Sequence, residues 1–203
     1  MKYWVPKLCE SVIVSKMKTS ILEAGTQYQI GGKPGHRVKE HLITAKALIS
    51  RSMITEGGCM IQLVDIKGFF DAESLRGIMG SLYTAQIPMK AYRVWFKLNS
   101  KTVIQVATPS GLTDKGEAGE LCGQGSGGAS LASQLDIDLG IKNYFENSQD
   151  EAIYGSVRIQ PQTFQDDIQR CAKNVSGARV GNLKLYRMHS ERLLSCHPKK
   201  TCF

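Results

Sequence analysis

No apolar run in the sequence approaches the ~18 residues of a membrane-spanning helix. The basic start, Met1-Lys2, is not followed by the continuous apolar stretch of a secretory leader. These two absences set the expectation of an intracellular, non-membrane protein, with nucleus and cytoplasm both open. The six cysteines, Cys9, Cys59, Cys122, Cys171, Cys196 and Cys202, include no Cys-x-x-Cys pair. A zinc ribbon or dithiol redox motif therefore has no framework, and the thiols are expected reduced and mostly buried. Cys196-His197 with Cys202 makes half a zinc site, but no second pair has ligand spacing. There is also no internal repeat, no low-complexity tract and no Lys/Arg-rich tail.

What the chain does have is an ordinary core composition and excess positive charge. At 203 residues, with 42% hydrophobic content, it is large enough to bury a core as one domain or two small ones. A formal net charge of +8, spread along the chain, favours a polyanionic partner over an acidic one.

The apolar spacing predicts helices over about Leu8–Ala24, Arg37–Arg51, Ala72–Tyr83 and Met89–Leu98. The first presents Leu8, Val12, Met17 and Ile21, the second Val38, Leu42, Ile43, Ala45 and Leu48. Asp71 or its neighbours are expected to cap the third. Leu131, Leu135 and Leu139 give a further helix its core face, and another is expected over Gly181–Leu194.

Strands are expected at Cys59–Asp65, Thr102–Val106, Ser156–Phe164 and Ile168–Cys171, with a last one at Thr201–Phe203. Pro161 marks an irregularity in the Ser156–Phe164 strand. Thr108–Gly128 reads as a long glycine-rich loop of the kind that usually carries function. The element order is that of an α+β fold.

Two glycine-rich strings mimic nucleotide-binding motifs and fail them. Gly123-Gln124-Gly125-Ser126-Gly127-Gly128 contains G-x-G-x-x-G, but a polar loop precedes it and no strand-borne acid follows about 20 residues on. Gly31-Gly32-Lys33-Pro34-Gly35 lacks Walker A spacing. Asn174-Val175-Ser176 is a formal glycosylation sequon with no secretory context.

The acids carry more. Asp65 closes the apolar run Cys59–Val64, where desolvation is costly unless a cation or donors neutralise the carboxylate. Asp166 and Asp167 sit side by side between two short strands. Asp65 alone reads equally as a helix N-cap and Asp-Asp alone as a turn; the combination is more specific than either.

Five segments occur in a telling order. They are Gln29-Ile30-Gly31-Gly32-Lys33-Pro34-Gly35-His36, Asp65–Asp71, Gly123-Gln124-Gly125-Ser126, Phe164-Gln165-Asp166-Asp167, and Leu193–Thr201. In that order they resemble the reverse transcriptases of non-LTR retrotransposons, over a stretch running from about Gln27 to the C-terminus. The first resembles the fingers segment ahead of the palm, and the other four resemble motifs A, B, C and D.

The resemblance implies a polymerase palm, an antiparallel sheet with helices on one face, at 59–203, and a partial fingers region at 1–58. It implies an RNA-directed DNA polymerase that adds dNTPs to a primer on an RNA template. Two Mg²⁺ ions, or Mn²⁺, would be held by Asp65, the Ile66 carbonyl, Asp166 and Asp167. A pair of metals ~3.5–4 Å apart stabilises both the attacking and the leaving oxygen. Phe70 would lie under the incoming sugar and exclude a 2′-hydroxyl, whereas Phe69 is expected in the core. Gln124 and Gly125 would position the template base and the nucleotide, and Lys200 would donate a proton to pyrophosphate.

Where the family often has Ser-Pro after the motif B Gln-Gly, this chain has Gly127-Gly128. No Arg-Pro-Ile fingers motif and no thumb are apparent, so the expectation is a fragment. Two other readings stand beside it. An RNA-dependent RNA polymerase would carry Thr and Asn where Leu131 and Leu135 stand. A repurposed palm would bind RNA without polymerising.

Overall fold

A computed structural model describes residues 4–31, 33, 35–54, 58–100, 103–117, 128–192 and 194. The chain runs through α1 (Trp4–Ala24), α2 (Lys39–Ile54), β1 (Met60–Asp65), α3 (Phe69–Ala72), α4 (Leu75–Thr84) and α5 (Met89–Asn99). Four short strands follow: β2 (Val103–Ile104), β3 (Ala107–Thr108), β4 (Gly111–Leu112) and β5 (Gly116–Glu117). Then come α6 (Ala129–Phe145), β6 (Ile153–Tyr154), β7 (Val157–Arg158), β8 (Gln162–Phe164), β9 (Asp167–Ala172) and α7 (Val175–Glu191).

The central sheet has the order β1-β9-β8 and is antiparallel throughout. Residues opposite one another in an antiparallel pair share a face, and alternate residues switch faces. Val64 lies opposite Ile168, and both are buried under Ile137, Ile141 and Phe145 of α6 and Leu185 and Met188 of α7. Helices thus cover this face. The opposite face is covered by α2 at its Cys171 end, where Leu48 packs with Cys171, Ala152 and Ile61. Toward Asp65 it opens, and Leu63 is 48% exposed. This is the α+β, palm-like arrangement expected from the sequence.

A second core joins Met17 and Ile21 of α1 to Leu75, Ile78 and Leu82 of α4, Trp95 of α5 and Leu135 of α6. Helix α6 lies between the two cores, and everything from Ala132 to Ile141 except half-buried Leu139 is buried. An all-round buried helix of this kind is normally apolar; this one carries Asp136 and Asp138.

Several expectations need correction. Leu8 and Val12 are exposed, because it is the C-terminal half of α1 that packs, through Met17 and Ile21. Leu42 and Ile43 are exposed while His41 is buried. Polar contacts with the sheet set the roll of α2: Gln169 donates to the His41 carbonyl and Gln162 to Thr44 Oγ1. The helix expected over Ala72–Tyr83 divides into α3 and α4, and Ser74, whose Oγ accepts from the Gly77 amide at 3.0 Å, caps α4.

The Thr102–Val106 strand is reduced to β2, and the glycine-rich stretch expected as loop contains two strand pairings over its first residues, β3 with β4 and β2 with β5. Ser156–Phe164 breaks into β7 and β8 around Pro161. Helix α7 starts at Val175 rather than Gly181, capped by Asn174, whose side chain accepts from the Gly177 amide. The expected strand Thr201–Phe203 lies outside the described residues.

Candidate active site

The strand register brings three acids to one end of the sheet. β1 ends at Asp65, which lies directly opposite Asp167, the first residue of β9. β8 closes on β9 with Phe164 opposite Asp167, leaving Gln165 and Asp166 as the turn between them. Cross-strand partners stand ~4.5–5.5 Å apart at Cα, so Asp65 and Asp167 project from the open face side by side. Asp65 and Asp166 are half-buried and Asp167 is exposed.

The donor chemistry fits a hard divalent cation, since carboxylate oxygens are what Mg²⁺ prefers. Among the described residues, no three carboxylate, imidazole or thiol groups converge as a ready-made cage. Mg²⁺ usually keeps several waters and uses one or two carboxylates plus substrate phosphates.

Beyond Asp65 the chain turns at Gly68, whose φ of 57° enters the left-handed region, and begins α3. Ile66 and Phe69 point into the core and are 1% and 3% exposed. Phe70 is half-buried, stacked obliquely on Phe69 with ring centroids 5.0 Å apart. Phe70 is thus placed a few residues from Asp65 with part of its ring accessible. Gln124, Gly125 and Lys200 lie outside the described residues. Two clefts of about 280 and 290 Å³ lie elsewhere, one beside Leu48 and Cys59 and the other beside Thr26 and Tyr28. Neither is lined by the three acids.

Around α6 lies a set of buried polar groups that sequence reasoning missed. Arg192 donates to Asp136 at 3.0 Å, and Ser81 donates to the other oxygen of that carboxylate. Glu73 is 1% exposed, and neither of its oxygens reaches hydrogen-bond geometry. Burial pushes its carboxyl up to about 8, with nearby Ser133 pulling the other way. Burial, aided by Arg192, lowers His189 to about 4. Asp138 accepts from the Thr26 amide and hydroxyl, and burial raises it too. Nothing in the local sequence around Glu73 or His189 distinguishes them from surface residues.

The segment before α2 also reaches the acidic end. Gln29 forms a parallel bridge with Thr163 of β8, which places residues 28–31 against the turn that carries Asp166.

No protein-family model matches the chain. Over 165 residues, 80% of its length, it is 25% identical to the retrovirus-related Pol polyprotein from type-1 retrotransposable element R2 of Nasonia vitripennis. The chain spans 16% of that relative's length. Its fold is similar to apo telomerase from Candida tropicalis truncated from its C-terminal domain, with a TM-score of 0.67 and 11% identity, covering 95% of this chain and 40% of that one. It is similar also to Candida albicans telomerase solved in complex with the TWJ fragment of telomeric RNA. That match has a TM-score of 0.62 and 11% identity, covering 96% of this chain and 33% of the telomerase chain. The chain is thus similar in sequence to part of a retrotransposon Pol polyprotein and in fold to part of telomerase.

Proposed function

We propose that this chain is the palm, at 59–203, with part of the fingers, at 1–58, of an RNA-directed DNA polymerase. It extends a primer 3′-hydroxyl with dNTPs on an RNA template. The observation that supports this best is the register: Asp65 opposite Asp167, with Asp166 in the adjoining turn, at the end of the sheet face where Leu63 is exposed. The net charge of +8 suits a nucleic-acid partner.

In this reading Asp65 and Asp166 hold Mg²⁺, or Mn²⁺ in its place. Asp167 would serve as a weaker ligand, and the Ile66 carbonyl would add a further oxygen donor. Bound there, the cations supply Lewis acidity and neutralise charge on the reacting phosphates. Phosphoryl transfer asks little covalent chemistry of a protein and depends on positioning. Asp65 and Asp167 are fixed by strand pairing and Asp166 by the hairpin turn, so the carboxylates are positioned by backbone rather than by flexible loops. Phe70 closes the space beneath the sugar, Gln124 and Gly125 orient template and nucleotide, and Lys200 protonates the leaving pyrophosphate.

The test is extension of a DNA primer annealed to RNA, with dNTPs and Mg²⁺, by the wild type and Asp166→Asn. Extension by the wild type that vanishes in the variant while circular dichroism is unchanged supports the proposal. Equal extension by both refutes the role of Asp166.

A further inference from the structure

The turn that carries Asp166 is held from outside its own hairpin. Residues 28–31 run beside β8, with the Ile30 amide donating to the Thr163 carbonyl at 3.0 Å and the Thr163 amide to the Tyr28 carbonyl at 3.0 Å. From this segment the Gln29 side chain, 2% exposed, reaches the turn. Its Oε1 accepts from the Gly31 amide at 2.9 Å and from the Gln165 amide at 3.4 Å. Gln165 is the turn residue with a φ of 60°, a conformation that non-glycine residues avoid without outside support.

The two backbone donors fix which end of the Gln29 amide faces the turn. Its Nε2 is buried with no hydrogen-bond partner, which is costly. A leucine of similar size would avoid that cost, so the reason for glutamine lies in the oxygen. Gly31 closes the other side. A Cβ there would stand 2.7 Å from the Gln165 nitrogen and 3.2 Å from the Phe164 carbonyl carbon, backbone atoms that have no flexible end to move aside. Side chain and glycine converge on the same peptide.

We infer that Gln29 and Gly31 form a bracket that locks the Gln165 peptide and thereby fixes Asp166 in the turn that adjoins the Asp65–Asp167 rung. They are positioning residues, since they touch the turn's backbone and not the acids. Their role in turnover rests on the polymerase reading above.

The experiment compares the full chain with Gln29→Leu, Gly31→Ala and Gln29→Glu, the last keeping acceptor oxygens at the same reach. Amide hydrogen exchange is read at Gln165, with Val64 and Ile168 as references for the sheet. Gln29→Leu is expected to speed exchange at Gln165 by ~10-fold or more while the references hold. In primer extension, Gln29→Leu and Gly31→Ala are expected to lower kcat ~100-fold, the scale of a small misplacement, with KM for dNTP nearly unchanged. The Mg²⁺ concentration for half-maximal rate rises in both, which a mere loss of folded protein would not cause. Gln29→Glu recovers most of the rate.

Unchanged exchange at Gln165 in Gln29→Leu overturns the bracket, as does a uniform rise that includes Val64 and Ile168. If Gln165 alone is deprotected but the wild type extends no primer, the bracket stands and the polymerase reading falls.

Discussion

Two rungs of the same strand pair, three residues apart, carry charge in opposite ways. At one, Gln62 faces Arg170; at the other, Asp65 faces Asp167. Arg170 is fully buried and fully engaged. Its Nε and Nη2 donate to Glu151 at 3.0 and 2.8 Å, Nη2 also to the Gly177 carbonyl at 2.9 Å, and Nη1 to Gln62 at 2.5 Å. The acid rung sets two carboxylates opposite one another at the open end of the sheet. Parity separates them: residue 62 points under the helices and residue 65 to the open face. The first rung is closed within the fold; the second stands at the open edge, where the proposed reading has it hold a metal.

The sharpest break of this contrast is at the acids. Asp166→Asn is expected to reduce primer extension by ~10³-fold or more without loss of structure, as removal of a central catalytic group does. Next comes Arg170→Met, which leaves Glu151 buried and uncompensated. Breaking such a pair costs ~3–5 kcal/mol, read in calorimetry as a Tm lower by roughly 10 °C. Gly181→Ala attacks the same rung, because a Cβ there would fall on the Arg170 guanidinium.

A smaller effect tests the sugar-facing reading of Phe70. Phe70→Ala is expected to narrow the preference for dNTP over rNTP by roughly 10–100-fold, the range a pocket contact supplies. An unchanged preference would leave Phe70 a core residue like Phe69.

The smallest concerns the buried polar groups around α6. In the fold Glu73 holds its proton to about pH 8, whereas unfolded it ionises near 4.5. Its contribution to stability is therefore full below 4.5, falls as pH rises to about 8, and then levels. His189 runs oppositely: neutral in the fold down to about 4 against 6.5 unfolded, it costs stability as pH falls through that window. Glu73→Gln is expected to stabilise the protein by roughly 1–3 kcal/mol at pH 9, with little change at pH 5, in urea unfolding at both.

How far the sequence carried this account differs between the two rungs. The acids were legible because strand-ending aspartates in order are a local signal, and the register then placed them together. The Arg170 rung was not. Apolar spacing puts a helix only over Gly181–Leu194, about one and a half turns short of the start of α7 at Val175. Yet Gly181 leaves room for the Arg170 guanidinium, Gly177 for the Asp150 backbone, and Asn174, which reads as a sequon, is the cap. The exposed Leu42 and Ile43 of α2 mislead for a related reason: side-chain amides from β8 and β9, invisible to periodicity, orient that helix. The segment from Gln29 is legible as a motif, but the contact of its side chain with the Gln165 turn depends on the pairing with Thr163.

The most direct measurement sets Asp65→Asn beside Arg170→Met, reading Tm and primer-extension rate per folded molecule in each. The account predicts that Asp65→Asn leaves Tm near the wild-type value and loses extension, while Arg170→Met lowers Tm and still extends. An Asp65→Asn protein that extends primers at the wild-type rate, or that melts as early as Arg170→Met, would contradict it.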